Sequence, residues 1–440
     1  MIEHGRLGLA CAGAARWQRG NGVWWRFTGL AAVMFLACQI VPVHAQSDMS
    51  WVRFPGQPSG NVDSHGIDRD FVREWESRPP AGFPTLSRAN LSAIDSAIKL
   101  YERVVKDGGF PQIPSERLSM GSWSDAVPLL RKRLTLSGDF ADDGYQSQNF
   151  DYALEKAVRR FQASNGLSPT GVVDPRTIAA LNVPASVRLQ QLKINQQRLR
   201  GLLANLPKKY VLVNIPAAQV EAVEDSRVVT RHAGVVGKLD RQTPELRSQI
   251  HELNFNPVWH LPPTTIRKDL APKGVEMSRR GQDVLERYKI EAFDSAGRRV
   301  KGTQINWSGG GAFAYTFRQQ PGPENPLGFV KINFHNSHAV YLHDTPSHTL
   351  FGRNFRAATS GCVRVAGIEK LAEWLMADHG WTKERILGIK ESGERLDVKL
   401  RRPVPLIMAY ITAWATEDGV IQFRRDLYNR DRVGQVASTY

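Results

Sequence analysis

The chain has 440 residues, 42% of them hydrophobic, and a formal net charge of +15 from 58 Lys and Arg against 43 Asp and Glu. That length exceeds one ordinary domain, and that apolar content can fill ordinary cores, which excludes a chain disordered throughout. The basic excess asks for an anionic partner (nucleic acid, an acidic membrane or an acidic wall polymer) and does not choose among them.

The N-terminus narrows the choice. Arg6, Arg16, Arg19 and Arg26 precede an apolar run from Gly29 to Val43, and Val43-His44-Ala45 supplies a cleavage site ahead of Gln46. Residues 1–45 therefore read as a secretory signal cut after Ala45 or, because the basic lead is long, as an uncleaved inner-membrane anchor. The run is short for a membrane span. Export by the general secretory route to the periplasm is expected, which disfavours nucleic acid and favours a wall polymer. Of the three cysteines, Cys11 and Cys38 fall in or before this segment, leaving Cys362 alone in the exported part. A single cysteine in an oxidising compartment has no internal disulfide partner, so it is either buried and inert or kept for its chemistry.

Residues 46–123 read as a linker, rich in Ser, Gly, Pro and Asp up to residue 65, followed by a helical scaffold. Its clearest stripe is Ala93-Ile94, Ala97-Ile98, Tyr101 and Val104. Residues 124–183 form a compact three-helix unit. Val127, Leu130 and Leu134 mark the first helix. Asp151 caps a second that carries Leu154, Val158 and Phe161, with Gly166 near its end, and Asp174-Pro175 opens a third through Ile178 and Leu181. Residues 184–207 give one amphipathic connecting helix, with Leu192, Leu199 and Leu203 on its apolar side and a basic, amide-rich opposite side.

From Lys208 the pattern changes to period two. Strands are expected over Tyr210–Ile215, Gln219–Val223 and Val228–Val236, with Asp225-Ser226 as a turn. A further pair, Val330–Phe334 and Ala339–Leu342, flanks Asn336-Ser337, and a single helix is expected over Ile368–Ala377. Residues 208–415 thus read as a mainly β domain. An insertion at about 264–325, including the Gly-rich Ser308–Phe313, is a candidate substrate lid, and 416–440 is a C-terminal tail. The fold class is α+β.

Two segments carry chemistry. His343 ends a strand, and Cys362 sits in a later loop behind Ser360-Gly361. A cysteine nucleophile needs a base to raise its thiolate fraction and to protonate the leaving amine, and histidine fits that task. Gly361 permits a positive-φ turn whose N–H groups can face an oxyanion. Ser360 either donates a hydrogen bond near the thiol or shapes the turn. If Cys362-Val363-Arg364 is extended, Cys362 and Arg364 share a face, and Arg364 can clamp a carboxylate. Trp259 and Tyr341 are candidate walls of the cleft. The residues alone support acyl transfer by a Cys–His pair.

The run His343-Asp344-Thr345-Pro346 followed by Ser360-Gly361-Cys362-Val363-Arg364-Val365 resembles the signature of L,D-transpeptidases with the YkuD-type catalytic domain. The phrases Asn254 to Ile266, Pro321 to Phe334 and Phe423 to Asp431 resemble the long, multidomain Gram-negative YcbB-type subgroup, as does Asp344, where shorter members carry Gly. Likewise Val158-Arg159-Arg160-Phe161-Gln162, then Gly166-Leu167, Gly171, Asp174 and Thr177, resembles a small peptidoglycan-binding domain. The resemblance implies that Cys362 attacks a tetrapeptide stem, that a thioester forms and D-alanine leaves, and that His343 shuttles the proton. A diaminopimelate amine of a second stem then resolves the thioester into a 3→3 cross-link, and carbapenems are expected to acylate Cys362. Resolution by water or by a lipoprotein amine would instead make a carboxypeptidase or a protein-attaching enzyme. The resemblance implies no cofactor and no metal. Three rivals fit less well. A zinc set from His335, His338, His343 and Cys362 lacks the usual ligand spacing. A papain-like peptidase places its cysteine before its histidine. A silent wall-binding protein has no use for a free thiol.

Overall fold

The computed structural model describes residues 83–141, 144 and 147–433. The expected signal or anchor over 1–45 and the expected linker that follows it lie outside these residues. Among the described residues, no helix is long and apolar enough to cross a membrane.

The scaffold stripe becomes helix α1 (Asn90–Lys106), which buries Ile94, Ala97, Ile98, Tyr101 and Val104. The helical unit contains α2 (Ala126–Ser137), α3 (Tyr152–Ser164) and α4 (Pro175–Leu181), packed around one core of Val127, Leu130, Leu154, Phe161 and Leu181. Asp151 accepts the Leu154 N–H at 2.9 Å, and Asp174 accepts the Thr177 N–H at 2.8 Å, so both expected N-caps form. The connecting helix is α5 (Ala185–Leu203). Its amide-rich side is not left to water. Arg188, Gln191 and Asn195 are buried, and Gln191 and Asn195 bond the Arg424 carbonyl and the Thr412 hydroxyl of the C-terminal segment.

The catalytic-region sheet is built from β1 (Lys209–Asn214), β2 (Gln219–Glu224), β3 (Arg227–Gly237), β4 (Leu246–Phe255), β9 (Val330–Phe334), β10 (Leu342–His343), β11 (Ala357–Thr359), β12 (Val363–Val365) and β13 (Leu396–Ala409). The order is β11-β3-β12-β10-β9-β4-β13-β1-β2, and β2 pairs again with β3, so the ladder closes on itself and leaves β11 as an appendage. Closure removes the open edges that invite strand addition. Asp225 and Ser226 both take positive φ in the β2–β3 hairpin, the turn their dipeptide predicts.

Both faces of β1 are buried. Val211 and Val213 enter the central core with Ile332, Val363 and Leu371, while Tyr210 and Leu212 join Ile98, Leu199 and Ile407 beneath α1 and α5. A strand covered on both sides reads as a continuous apolar run. The central core is closed by α7 (Ile368–Leu375) and by α8 (Lys383–Ser392), which the single-helix expectation missed. Thr382 caps α8 and Gly393 ends it in the left-handed conformation, but its short stripe of Ile386 and Ile389 gives little periodicity. β10 is shorter than the expected Ala339–Leu342 strand, because Ala339 turns the chain at φ 52°.

The insertion is a subdomain rather than a loose flap. Strands β5 (Trp259–His260), β6 (Ile290–Phe293), β7 (Arg299–Val300) and β8 (Thr316–Gln319) form a separate sheet in the order β5-β8-β6-β7. A π-turn at Ile266–Leu270 leads into α6 (Ala271–Ser278). Trp259, Leu270, Leu285, Trp307 and Phe317 make its own core. Within the Gly-rich stretch, Ala312 is fully buried in that core, so this segment is packed structure. The last strands are β14 (Ala413–Ala415) and β15 (Ile421–Phe423), which pair only with each other.

Candidate active site

The parallel register of β10 and β12 pairs Leu342 with Val363 and His343 with Arg364. Side chains alternate along a strand. Leu342, Val363 and Val365 enter the central core, so His343, Cys362 and Arg364 share the opposite face, with Lys331 across from His343 on β9. Cys362 and His343 are therefore diagonal neighbours.

The loop that carries Cys362 is shaped by its hydroxyls and one glycine. Gly361 has φ 114°, which an L side chain rarely adopts, and a Cβ there would sit 3.3 Å from the Val340 side chain. Thr359 donates its hydroxyl to the Cys362 carbonyl at 2.6 Å and accepts the Gly361 N–H at 3.2 Å. Thr243, in the β3–β4 turn, donates its hydroxyl to the Gly361 carbonyl at 2.9 Å. That turn folds back tightly, since a Cβ on Gly237 would lie 2.2 Å from the Arg241 carbonyl. Tyr428 of the C-terminal segment holds the turn from behind. Its hydroxyl donates to the Gly237 carbonyl at 2.6 Å and accepts the Thr243 N–H at 3.1 Å. Its own N–H donates to the Tyr410 hydroxyl, which donates to Asp426.

Burial dominates the electrostatics. Cys362 is half-buried, and burial pushes its thiol pKa up, against the opposing effects of hydrogen bonds from Tyr341 and the charges of Lys331 and Arg364. His343 is pushed down to about 3, first by burial and then by the Arg364 charge, although the Asp344 and Pro326 main chains favour the protonated ring. The resting pair is thus neutral thiol and neutral imidazole. Arg364 is itself buried, which lowers its pKa to about 10, and its Nε and Nη1 have no hydrogen-bond partner among the described residues. Two orphaned donors on a buried guanidinium beside Cys362 need an explanation.

The eight sequence-derived residues divide. Cys362, His343, Arg364 and Tyr341 come together. Tyr341 bonds the sulfur, packs edge-on to His343 with ring centroids 5.8 Å apart, and accepts a hydrogen bond from Trp259 of the cap. Both aromatics thus wall the site. Gly361 shapes the turn, but its N–H is spent on Thr359 instead of facing an oxyanion. Ser360 accepts a hydrogen bond from Arg241 at 2.7 Å, so its partner is a guanidinium and not the thiol. Asp344, by its place in the motif a candidate oxyanion or substrate-side residue, faces elsewhere in the structure. Alternation turns its side chain away from His343, and its carboxylate accepts the Phe329 N–H at 2.9 Å. What holds the imidazole is the Asp344 backbone carbonyl, 2.5 Å from Nδ1. His335 stacks on His251, with centroids 4.2 Å apart. Among the described residues, no three His, Cys, Asp or Glu side chains gather as a metal set.

Arg241, Thr243 and Tyr428 escaped the sequence reading. The phrase containing Tyr428 was visible, but nothing local says that a tail tyrosine reaches a turn nearly two hundred residues earlier. A separate cavity of about 130 Å³ lies between the helical unit and the sheet, with Gly166, Ser168, Arg231 and Arg356 on its wall. Cys362 is not among its lining residues.

Residues 208–396 match the L,D-transpeptidase catalytic domain, and residues 124–181 match a peptidoglycan-binding domain. A Haemophilus influenzae protein described as an L,D-transpeptidase is 33% identical over 246 residues, which cover 55% of this chain and 48% of that protein. The match thus spans about half of that relative's length. Among solved structures, the L,D-transpeptidase of Xylanimonas cellulosilytica aligns at 16% identity over 68% of this chain and 98% of its own, with a TM-score of 0.21. The transpeptidase LdtMt1 in complex with imipenem aligns at 10% identity over 46% of this chain and 59% of its own, with a TM-score of 0.22.

Proposed function

We propose that this chain is a periplasmic, cysteine-dependent L,D-transpeptidase that forms 3→3 cross-links between peptidoglycan stems. The single observation that carries the reading is the buried guanidinium of Arg364, with two unpartnered nitrogens on the sheet face that holds Cys362 and His343. A buried cation with spare donors fits the negative charge that acyl transfer develops, whether an oxyanion or a stem carboxylate.

The steps follow from the groups present. The donor tetrapeptide enters the face between β10, β12 and the cap. Rotation of Cys362 about χ1 takes Sγ from Tyr341 toward His343. The Asp344 carbonyl holds the proton on Nδ1, which leaves Nε2 as the base. As Sγ attacks the carbonyl carbon, Nε2 takes the thiol proton and then delivers it to the departing D-alanine nitrogen, leaving a thioester. The amine of a second stem, a diaminopimelate side chain, attacks the thioester carbon, its proton passes to His343, and the thiol is restored. With both groups neutral at rest, the thiolate forms during attack rather than standing ready beforehand. The helical unit is proposed to hold the enzyme on the wall, and the N-terminal segment to export or anchor it.

Intact mass spectrometry tests this. Wild type and Cys362→Ala are incubated with disaccharide-tetrapeptide and separately with a carbapenem. Cross-linked dimer and a carbapenem adduct, both absent with the variant, are expected. Tripeptide without dimer would replace transpeptidation by hydrolysis, and no Cys362-dependent product would sink the proposal.

A further inference from the structure

Three stretches distant in sequence meet at one guanidinium. Arg241 in the β3–β4 turn donates from Nη1 to Asp269 Oδ2 at 2.7 Å and from Nη2 to Asp269 Oδ1 at 2.9 Å. Its Nη1 also donates to the hydroxyl of Ser360 at 2.7 Å. Asp269 lies in the π-turn of the cap, between Ile266 and Leu270, both of which are buried in the cap's own core. Its position therefore reports where the cap sits. Ser360 is joined to Cys362 through Gly361 alone.

The pair has the geometry of a built contact. The Arg241 and Asp269 side chains are only 6% and 11% exposed, and the contact is bidentate. Two parallel N–H···O bonds fix direction as well as distance, which a single lysine contact does not. Next to it the charges repeat in the opposite sense, with Lys268 of the cap 3.5 Å from Asp240 of the turn. That second pair is exposed and screened, so it adds complementarity more than energy. The Arg241 backbone is fixed by its close approach to Gly237, and Thr243, two residues on, holds the Gly361 carbonyl.

We propose that Arg241 is a positioning residue, tying the docked cap to the nucleophile loop so that Cys362 takes its reactive place only when Asp269 and Ser360 are held together. Arg241 touches no reacting atom. Its effect passes through Ser360 and Gly361, where a displacement of about 1 Å is enough to slow acyl transfer by up to about a hundredfold. The inference rests on the transpeptidase reading of the same site.

The test is the Cys362 acylation rate with the tetrapeptide donor, read beside the thermal midpoint, for R241A, D269N, S360A, the double variant S360A/D269N and the charge swap R241D/D269R. R241A and D269N are expected to slow acylation by about 10- to 100-fold, with KM within about threefold of wild type. S360A/D269N should be no slower than the worse of its two parents, because both substitutions break one connection. The swap should recover most of the rate, since the ion pair is restored with its ends exchanged and the Ser360 hydroxyl can then donate to the carboxylate on the turn. A folded swap as slow as R241A would overturn the proposal, because the guanidinium would then be needed on the turn itself. Wild-type rates in R241A, or independent multiplicative effects of S360A and D269N, would overturn it too. If R241A does not fold, D269N and S360A decide alone. A wild-type protein that is never acylated would count against the transpeptidase reading, whereas unaffected variants of an active enzyme count only against Arg241.

Discussion

The helical unit over 124–181 and the catalytic face are built in opposite ways. The helical unit is made of near neighbours. Its caps bond three residues ahead, and its core is filled from α2, α3, α4, the segments joining them and Ile113 and Leu118 just before α2. The catalytic face draws His343 from β10, Cys362 from the loop before β12, Thr243 and Arg241 from the β3–β4 turn, Tyr428 from the C-terminal segment and Trp259 from the cap. Local construction confines damage, whereas construction from distant segments spreads it to the one loop where they meet.

The largest expected effect breaks the catalytic face at its chemistry. Cys362→Ala should lower cross-linking by at least about a thousandfold, with the thermal midpoint near wild type, because Cys362 sits at the edge of the central core and the change removes a single sulfur atom. Activity and differential scanning calorimetry on one preparation check both halves. Equal losses in activity and stability would mean that Cys362 is a core residue.

Tyr428→Phe should be next. It strips a hydroxyl from the Gly237 carbonyl and the Thr243 N–H, leaving both buried groups without that partner, and should cost about 2–3 kcal/mol. Because Thr243 holds Gly361, acylation should slow as well, by about tenfold. A purely structural tyrosine would lower the midpoint and leave the rate per folded molecule unchanged.

Acid sharpens the comparison, because the two regions titrate in opposite directions. His343 and His232 are buried and pushed down from 6.5 to about 3 and about 4. The unfolded chain binds these protons below pH 6.5 and the native sheet refuses them. Stability is therefore unaffected above pH 6.5 and falls as pH drops toward 4, by about 2 kcal/mol per histidine at pH 5. In the helical unit, burial raises Asp139 from 3.8 to about 6. There the unfolded carboxyl ionises first, so that contribution is lost as pH rises from 3.8 to 6. Hydrogen exchange at pH 7 and pH 5 should show protection falling around β12 while α3 gains. A parallel loss in both regions would refute the opposition.

The smallest effect isolates the local region. Asp174→Ala removes one N-cap and should cost about 1 kcal/mol, with acylation by soluble donor unchanged. A large rate loss there would mean that α4 supports the catalytic face.

How much was legible follows the same division. The α1 stripe, the capped helices and the Asp225-Ser226 hairpin all carry signals within a few residues of one another. Helix α8 was missed although Thr382 and Gly393 bracket it, because its two buried isoleucines lie too close together to show a period. The cap was legible as an insertion but not as a body with its own core, since Trp259 precedes the stretch whose pattern changes. The direction of the Asp344 side chain was not legible, because its place in a motif says nothing about which way it points.

What the sequence determined by itself was residue type and local geometry: a lone cysteine behind a glycine that permits φ 114°, a histidine at a strand end, and an arginine two residues beyond the cysteine. Local propensity and alternation suffice for these, because their causes lie within one turn or one strand. Only the tertiary structure decided that His343 would be a buried, neutral imidazole, that Arg364 would be a buried cation with spare donors, and that a turn, a tail and a cap would converge on Gly361. Those outcomes depend on burial and on hydrogen bonds between segments up to 191 residues apart, for which no local pattern exists.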